Sequence, residues 1–245
     1  MTDAGRVSQG RARGGSRRSG VEYRWVHLWH WPIRAMHWVA AACMVVLVVT
    51  GFYVGRPYFM SSGEASAHFL MGRMRLAHFV AAGMLVGTGI VRVYWLFAGN
   101  RFERWRALFP FSRRSLRGLL AMVRYYLLWP GARHPHYLGH NPLEQLAYTA
   151  VYALVAFQVL TGFALYGLAE PGGFFWHLTE LQAWFPGGIR GVRLAHHLVT
   201  WALLAFVPIH VYMGTRADIV DRQGELSSIF SGGRWVPAGE RFEDE

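Results

Sequence analysis

The apolar residues of this chain are gathered into four long blocks, at 35–55, 76–91, 145–169 and 194–215, the second continuing past Arg92 to residue 99. A soluble surface helix repeats its apolar positions every three or four residues and keeps a polar face, whereas these blocks are apolar all round. Each is near or above the ~20 residues needed to cross ~30 Å of hydrocarbon. The pattern predicts an all-α integral membrane protein, with four transmembrane helices over about 33–55, 74–98, 144–169 and 191–216 in an up-down bundle.

Two shorter stretches flank the spans. Residues 118–129 are apolar, but the run is too short to cross and contains Arg124, which suits a helix lying in the interface. The loop 171–191 carries Trp176, Trp184 and Phe185, either as interface aromatics or as a docking surface.

Composition alone does not decide the class. With 53% hydrophobic residues, 11 Trp and 16 Phe in 245 residues, the chain could fill one soluble core; the clustering is what points to a membrane. The +11 charge invites a nucleic-acid reading, but all 25 basic residues are arginine and they follow the blocks. Seven precede residue 35, eight lie between 97 and 145 and four follow 213, against three between the first two blocks and two between the last two. By the positive-inside rule both termini and the middle loop are cytoplasmic, as in a bacterial inner-membrane protein, and no nucleic-acid partner is expected.

Residues 1–22 form an Arg-rich tail expected to be disordered, 23–235 the transmembrane domain and 236–245 an acidic cytoplasmic tail. Ser16-Arg17-Arg18 superficially resembles a twin-arginine signal, but a full spanning block follows it instead of a short cleavable one. The single cysteine, Cys43, excludes internal disulfides and thiolate clusters.

The candidate chemistry lies in the histidines. His196 and His210 are fourteen residues apart in the fourth block. Fourteen helical residues turn roughly 1400°, within about 40° of four full turns, and rise about 21 Å. Both imidazoles therefore face one way, near opposite ends of a span. Polar rings in hydrocarbon need partners or a metal, and two stacked haem irons satisfy both.

Two repeats supply the partners. Arg75-Leu76-Ala77-His78 recurs as Arg193-Leu194-Ala195-His196, and Thr50-Gly51-Phe52 recurs as Thr161-Gly162-Phe163, in the same order in each half. This reads as a duplicated helix pair. Depth then pairs His37 with His210 and His78 with His196, giving two bis-histidine haems, one near each membrane face. No open iron position remains, so electron transfer is the natural task. His197 falls about 140° off the His210 face and out of the repeat, and reads as a packing histidine. His27, His30, His68, His134, His136, His140 and His177 lie outside the spans. Gly89, eleven residues past His78 and near its face, could admit a porphyrin edge. Arg92 stands where His210 stands in the other half, and is expected to pair with an inner-haem propionate or to snorkel.

These residues resemble a known family, the b-type cytochrome subunit of membrane-bound Ni,Fe-hydrogenases, over about residues 23–235. The likeness is carried by Gly63-Glu64-Ala65-Ser66 leading to Phe69-Leu70-Met71-Gly72, then Arg92-Val93-Tyr94-Trp95, Gly139-His140-Asn141-Pro142, Thr161-Gly162-Phe163-Ala164-Leu165-Tyr166, and His210-Val211-Tyr212-Met213 followed by Arg216 and Asp218-Ile219. The chain departs from the family pattern at Ala35-Met36 and at Ala195-His196-His197-Leu198-Val199. The resemblance implies ligands at His37, His78, His196 and His210, matching the geometric choice. It also implies an anchor and electron conduit for the large and small subunits of a periplasmic hydrogenase, with quinone as acceptor and hydrogen splitting left to the partners. Candidates for the quinone pocket are His30, Arg34, His140, Asn141 and Tyr148, all expected near the cytoplasmic face. Two other readings remain at this stage: the cytochrome of a formate dehydrogenase or thiosulfate reductase, and a histidine-based metal-ion transporter, which predicts no haem absorbance.

Overall fold

The computed structural model describes residues 22–59, 69–110, 113–127, 136–219 and 224–244. The elements run β1 (Tyr23–His27), α1 (Trp31–Gly55), α2 (Leu70–Ala98), a single turn α3 (Trp105–Leu108), α4 (Arg113–Tyr126), α5 (Pro142–Gly167), a 3-10 segment (Trp176–Trp184), α6 (Ile189–Ile219), α7 (Glu225–Ser231) and β2 (Gly233–Pro237). The tail expected over 1–22 and the motif at 63–66 fall almost wholly outside the described residues.

Helices α1, α2, α5 and α6 have the length and apolarity to cross a membrane, and little of each span is buried within the chain. At about 1.5 Å per residue they run roughly 37–47 Å, enough for the hydrocarbon and part of the headgroup layer. Large side chains such as Val45, Ile90, Tyr94 and Ile209 face outward from them. Such an apolar surface suits lipid, where each helix satisfies its own backbone groups without water, so this is a multi-pass membrane protein.

Local sequence sets where the spans begin and end. Pro32 sits in the first turn of α1, where a missing N–H costs nothing. At the start of α5 the Asn141 side chain accepts from the N–H groups of Leu143 and Glu144, and the Glu144 carboxylate accepts from the Asn141 N–H in return. Gly187 and Gly188, at φ of 79° and 61°, make the left-handed turn that releases the chain into α6. Pro208 lies inside α6, two residues before His210, and removes one ladder hydrogen bond there. Helix α4 is amphipathic: Met122 is buried while Arg117 and Arg124 are exposed, as an interfacial helix requires.

Backbones pack closely within two pairs, α1 with α2 and α5 with α6. The pairs meet each other through long side chains: Phe52 of α1 reaches His197 and Trp201 of α6, and Phe79 of α2 reaches Tyr166 of α5.

One end of the bundle carries a cap that the hydropathy pattern does not reveal. β1 and β2 pair antiparallel, with Trp25 opposite Trp235, and Leu28, Phe102, Leu138 and Val236 form a small core beneath them. Within the segment read as an acidic tail, Asp244 accepts the N–H groups of Leu138 and Gly139 at 2.7 Å each, and His136 pairs with Glu240 at 2.9 Å. Both terminal segments are thus tied to the loop that enters α5.

Candidate haem sites

Four intramembrane histidines stand at two levels. His37 lies in the second turn of α1 and His210 in the last third of α6; His78 and His196 each lie about two turns into α2 and α6.

At the capped end, the His37 and His210 rings face each other across the helix pairs, with centroids 6.2 Å apart. An imidazole nitrogen sits about 1.1 Å from its ring centre and a metal–imidazole bond is about 2.0 Å, so two rings sharing one ion are about 6 Å apart. The spacing fits that donor set. Nδ1 of His37 is buried with no hydrogen-bond partner among the described residues, so protein atoms leave this ring's polar demand unmet. His210 stacks on Phe206 at 5.3 Å and touches the Tyr148 ring at 6.0 Å.

At the other end, His78 and His196 are each held from within their own helix pair. Nδ1 of His78 is 3.0 Å from Oγ1 of Thr50 on α1, and Nδ1 of His196 is 2.8 Å from Oγ1 of Thr161 on α5. Both threonines are buried. The next residue in each case is a glycine, and a Cβ on Gly51 or Gly162 would stand 3.2 or 3.4 Å from Cε1 of the histidine. The two repeats read from the sequence therefore meet each other in space, one Thr-Gly pair against each histidine. His196 is within electrostatic range of His78. His197 instead lies exposed against Phe52, and its Nε2 accepts from the Trp201 indole N–H at 3.3 Å.

The other site candidates separate. Gly89 is exposed, with open space where a Cβ would stand. Arg92 donates from Nε to the Tyr152 hydroxyl at 3.2 Å and from both terminal nitrogens to the Glu103 carbonyl at 3.2 and 3.3 Å. Arg34 donates to the Phe230 carbonyl. Asn141 is engaged in capping α5. The backbone N–H of His30 donates to Glu103 Oε1 at 2.6 Å, and its Nδ1 lies 2.9 Å from Oε2. His140 lies between the rings of Trp29 and Tyr148, with centroids 4.8 and 4.9 Å away, and its own Nδ1 is buried without a partner. Burial first, then the charges of Arg92 and His210, pull His140 down to about 4, so it is neutral at physiological pH.

Glu103 is the residue that the sequence reading missed. It is the sole acid among Arg101, Arg104 and Arg106, yet it is buried and ties α1 to α2 by accepting from His30, Trp95 Nε1 at 3.0 Å and the Asn100 N–H at 3.0 Å. Burial raises its pKa, but the bonds from His30, Asn100 and Trp95 outweigh burial and leave it below the usual carboxylate range. Its position between arginines was the only signal available.

Among the described residues no group of three or more His, Cys, Asp or Glu could hold a bare metal ion. The histidines come in pairs, as haem ligation uses them.

Residues 28–232 match the family described as Prokaryotic cytochrome b561. The chain is 39% identical over 224 residues to the "Probable Ni/Fe-hydrogenase B-type cytochrome subunit" of Cupriavidus necator, covering 88% of this chain and 89% of that one. It is 42% identical over 215 residues to the protein of that name from Azotobacter chroococcum mcd 1, covering 85% and 88%. The corresponding hydrogenase 1 protein of Escherichia coli K12 is 36% identical over 208 residues, covering 83% and 88%. The chain belongs to the family of Ni/Fe-hydrogenase B-type cytochrome b subunits.

Proposed function

We propose that this chain holds two b-type haems, one between His37 and His210 and one between His78 and His196, and so joins a periplasmic Ni/Fe-hydrogenase to the quinone pool. Family membership carries the electron-transfer role; the 6.2 Å spacing of His37 and His210 is the observation that carries the ligand assignment. When bound, the haems supply one-electron redox centres at two depths in the membrane.

The protein's own residues do the rest. The helix pairs set His37 against His210 and hold His78 and His196 through Thr50 and Thr161. Gly89 leaves the α2 surface open one face-repeat beyond His78, where a porphyrin edge would lie. Arg92 uses three N–H groups on Glu103 and Tyr152, which leaves two of its five for a haem propionate at the capped end.

The arginine distribution favours a cytoplasmic cap, with both termini inside and the 3-10 loop in the periplasm. In that loop Phe174 and Trp184 are 89% and 84% exposed, the highest values among the described large apolar side chains. Such side chains suit docking of the hydrogenase large and small subunits near the His78/His196 level. Of the five quinone candidates, His140 and Tyr148 fit best, because Asn141, Arg34 and His30 are engaged in holding the fold. His140 borders a cavity of about 220 Å³ that also touches Arg101, Arg106 and Gln145, room for a headgroup rather than a whole ligand.

The test is the reduced-minus-oxidised spectrum and haem content of the purified chain. A b-type spectrum that loses half its intensity in His37→Ala and half in His196→Ala supports the reading; a chain without haem absorbance refutes it.

A further inference from the structure

Thr50 and Thr161 each set a single hydroxyl between two main-chain carbonyls of their own helix and a histidine ring. Thr50 Oγ1 donates to the Val46 carbonyl at 2.6 Å and lies 3.0 Å from Nδ1 of His78; Thr161 Oγ1 donates to the Phe157 carbonyl at 2.8 Å and lies 2.8 Å from Nδ1 of His196. A hydroxyl owns one proton and a carbonyl can only accept. That proton is therefore directed at the helix carbonyl in both cases, and the bond to the imidazole runs the other way. Nδ1 carries hydrogen and donates to the threonine oxygen. A neutral imidazole protonated at Nδ1 has its lone pair at Nε2.

We infer that Thr50 and Thr161 are a duplicated pair of positioning residues that lock His78 and His196 in the Nδ1–H tautomer and present Nε2 to iron.

Threonines bonding back to the carbonyl four residues earlier are ordinary in apolar helices, and Thr88, Thr149 and Thr215 do so here. What separates Thr50 and Thr161 is the second partner: among the described residues no other threonine hydroxyl bonds a histidine ring. Each is buried at the interface of its own helix pair, so the hydroxyl cannot turn to water instead. Each is followed by the glycine that lets the ring lie against the backbone. Among the described residues the device is absent at the capped end, where Nδ1 of His37 has no partner and His210 is held by ring contacts with Phe206 and Tyr148. Tyr148 stands thirteen residues before Thr161, as His37 stands thirteen before Thr50, so the threonine–histidine unit recurs in both halves of the chain while the position of His37 is taken by Tyr148 in the second.

An Nδ1–H bond to an acceptor fixes the ring plane and raises ligand basicity, which favours oxidised iron. This inference rests on the two-haem reading. Its test is potentiometric titration of the purified full-length chain, with electron paramagnetic resonance of the oxidised state, for wild type, Thr50→Val, Thr161→Val and the serine variants. His196→Ala identifies which midpoint belongs to the His78/His196 site. Either valine variant raises that midpoint and moves that low-spin signal while the other haem keeps both, and Thr50→Ser and Thr161→Ser restore the wild-type values. If a valine variant loses the haem, its serine counterpart decides: wild-type midpoint and signal support the role, and loss overturns it. Indifference to valine, serine behaving as valine, or equal shifts in both haems also overturn it. A wild-type chain lacking that haem refutes the two-haem reading, a result visible before any threonine is changed.

Discussion

The Trp201 indole N–H donates to Nε2 of His197 at 3.3 Å, one turn along α6, while the adjacent His196 turns its Nδ1 to Thr161 on α5. Neighbouring histidines on one helix thus have opposite nitrogens engaged. Only His196 keeps the one that iron ligation uses. His196→Ala is expected to remove one of two haems, and His197→Ala to keep both at unchanged stoichiometry. Haem-to-protein ratios on the purified variants decide it, and loss in the His197 variant alone would reverse the assignment.

Arg92 concerns the capped end. Its bonds to Glu103 and Tyr152 fix the guanidinium near that level of the bundle. Gln in its place keeps a donor but removes the charge and the fork. In a redox titration, Arg92→Gln should shift the His37/His210 midpoint well beyond any change at His78/His196. Equal shifts, or none, would remove it from that site.

Glu103 carries a pH prediction. Its folded pKa lies below the ordinary value, so its stabilisation is fully present above the unfolded carboxylate pKa and is lost as pH falls through the lowered folded value. Glu103→Gln should flatten the acid limb of the thermal-stability profile. Glu103→Ala, which strands the His30, Asn100 and Trp95 donors, should cost on the order of 3 kcal/mol at neutral pH. Denaturation followed by tryptophan fluorescence from pH 7 to 3 measures both, and a variant with the wild-type acid limb would contradict the account.

Gly51→Ala places a methyl 3.2 Å from His78 Cε1, so the ring must give by a few tenths of an ångström. The expected result is a changed low-spin signal for the His78/His196 haem with the other signal intact. Gly83→Ala, with open space about it, serves as the control and should change neither.

Much of this architecture is legible in the chain, and the reasons differ by element. The spans are local: an uncharged run of ~20 residues has one stable solution in lipid, so their positions follow from hydropathy to within a few residues at each end. The depth of each histidine follows from helical rise. The repeats were visible as words, but that Thr50 would meet His78 depends on α1 packing against α2, which no single segment encodes. The β1–β2 pair was hidden for the same reason: Tyr23–His27 and Gly233–Pro237 are short, lie at opposite ends of the chain and carry no alternating pattern strong enough to declare them. Asp244 looked like part of a solvated acidic run because its partners are backbone N–H groups about a hundred residues away. Glu103 stands among arginines in sequence, and its burial depends on His30 arriving from 73 residues away to join the nearby Trp95 and Asn100.

The exposed aromatics of the 3-10 loop offer a test of the proposed orientation. Trp184→Ser should weaken retention of the hydrogenase subunits by roughly tenfold, about 1.4 kcal/mol, if this side chain anchors the interface. Co-purification from membranes measures it. In spheroplasts, a cysteine at Trp184 in a Cys43→Ala background should react with an impermeant thiol reagent; protection until the membrane is opened would place the loop in the cytoplasm.

The central claim is that four histidines hold two haems, and the haem-to-chain ratio of the purified protein tests it most directly. The pyridine haemochrome of wild type should give two haem b per chain, falling to one in His37→Ala and in His196→Ala and to none when both are combined. A wild-type ratio of one or zero, or single variants that keep two, would contradict the pairing of His37 with His210 and His78 with His196.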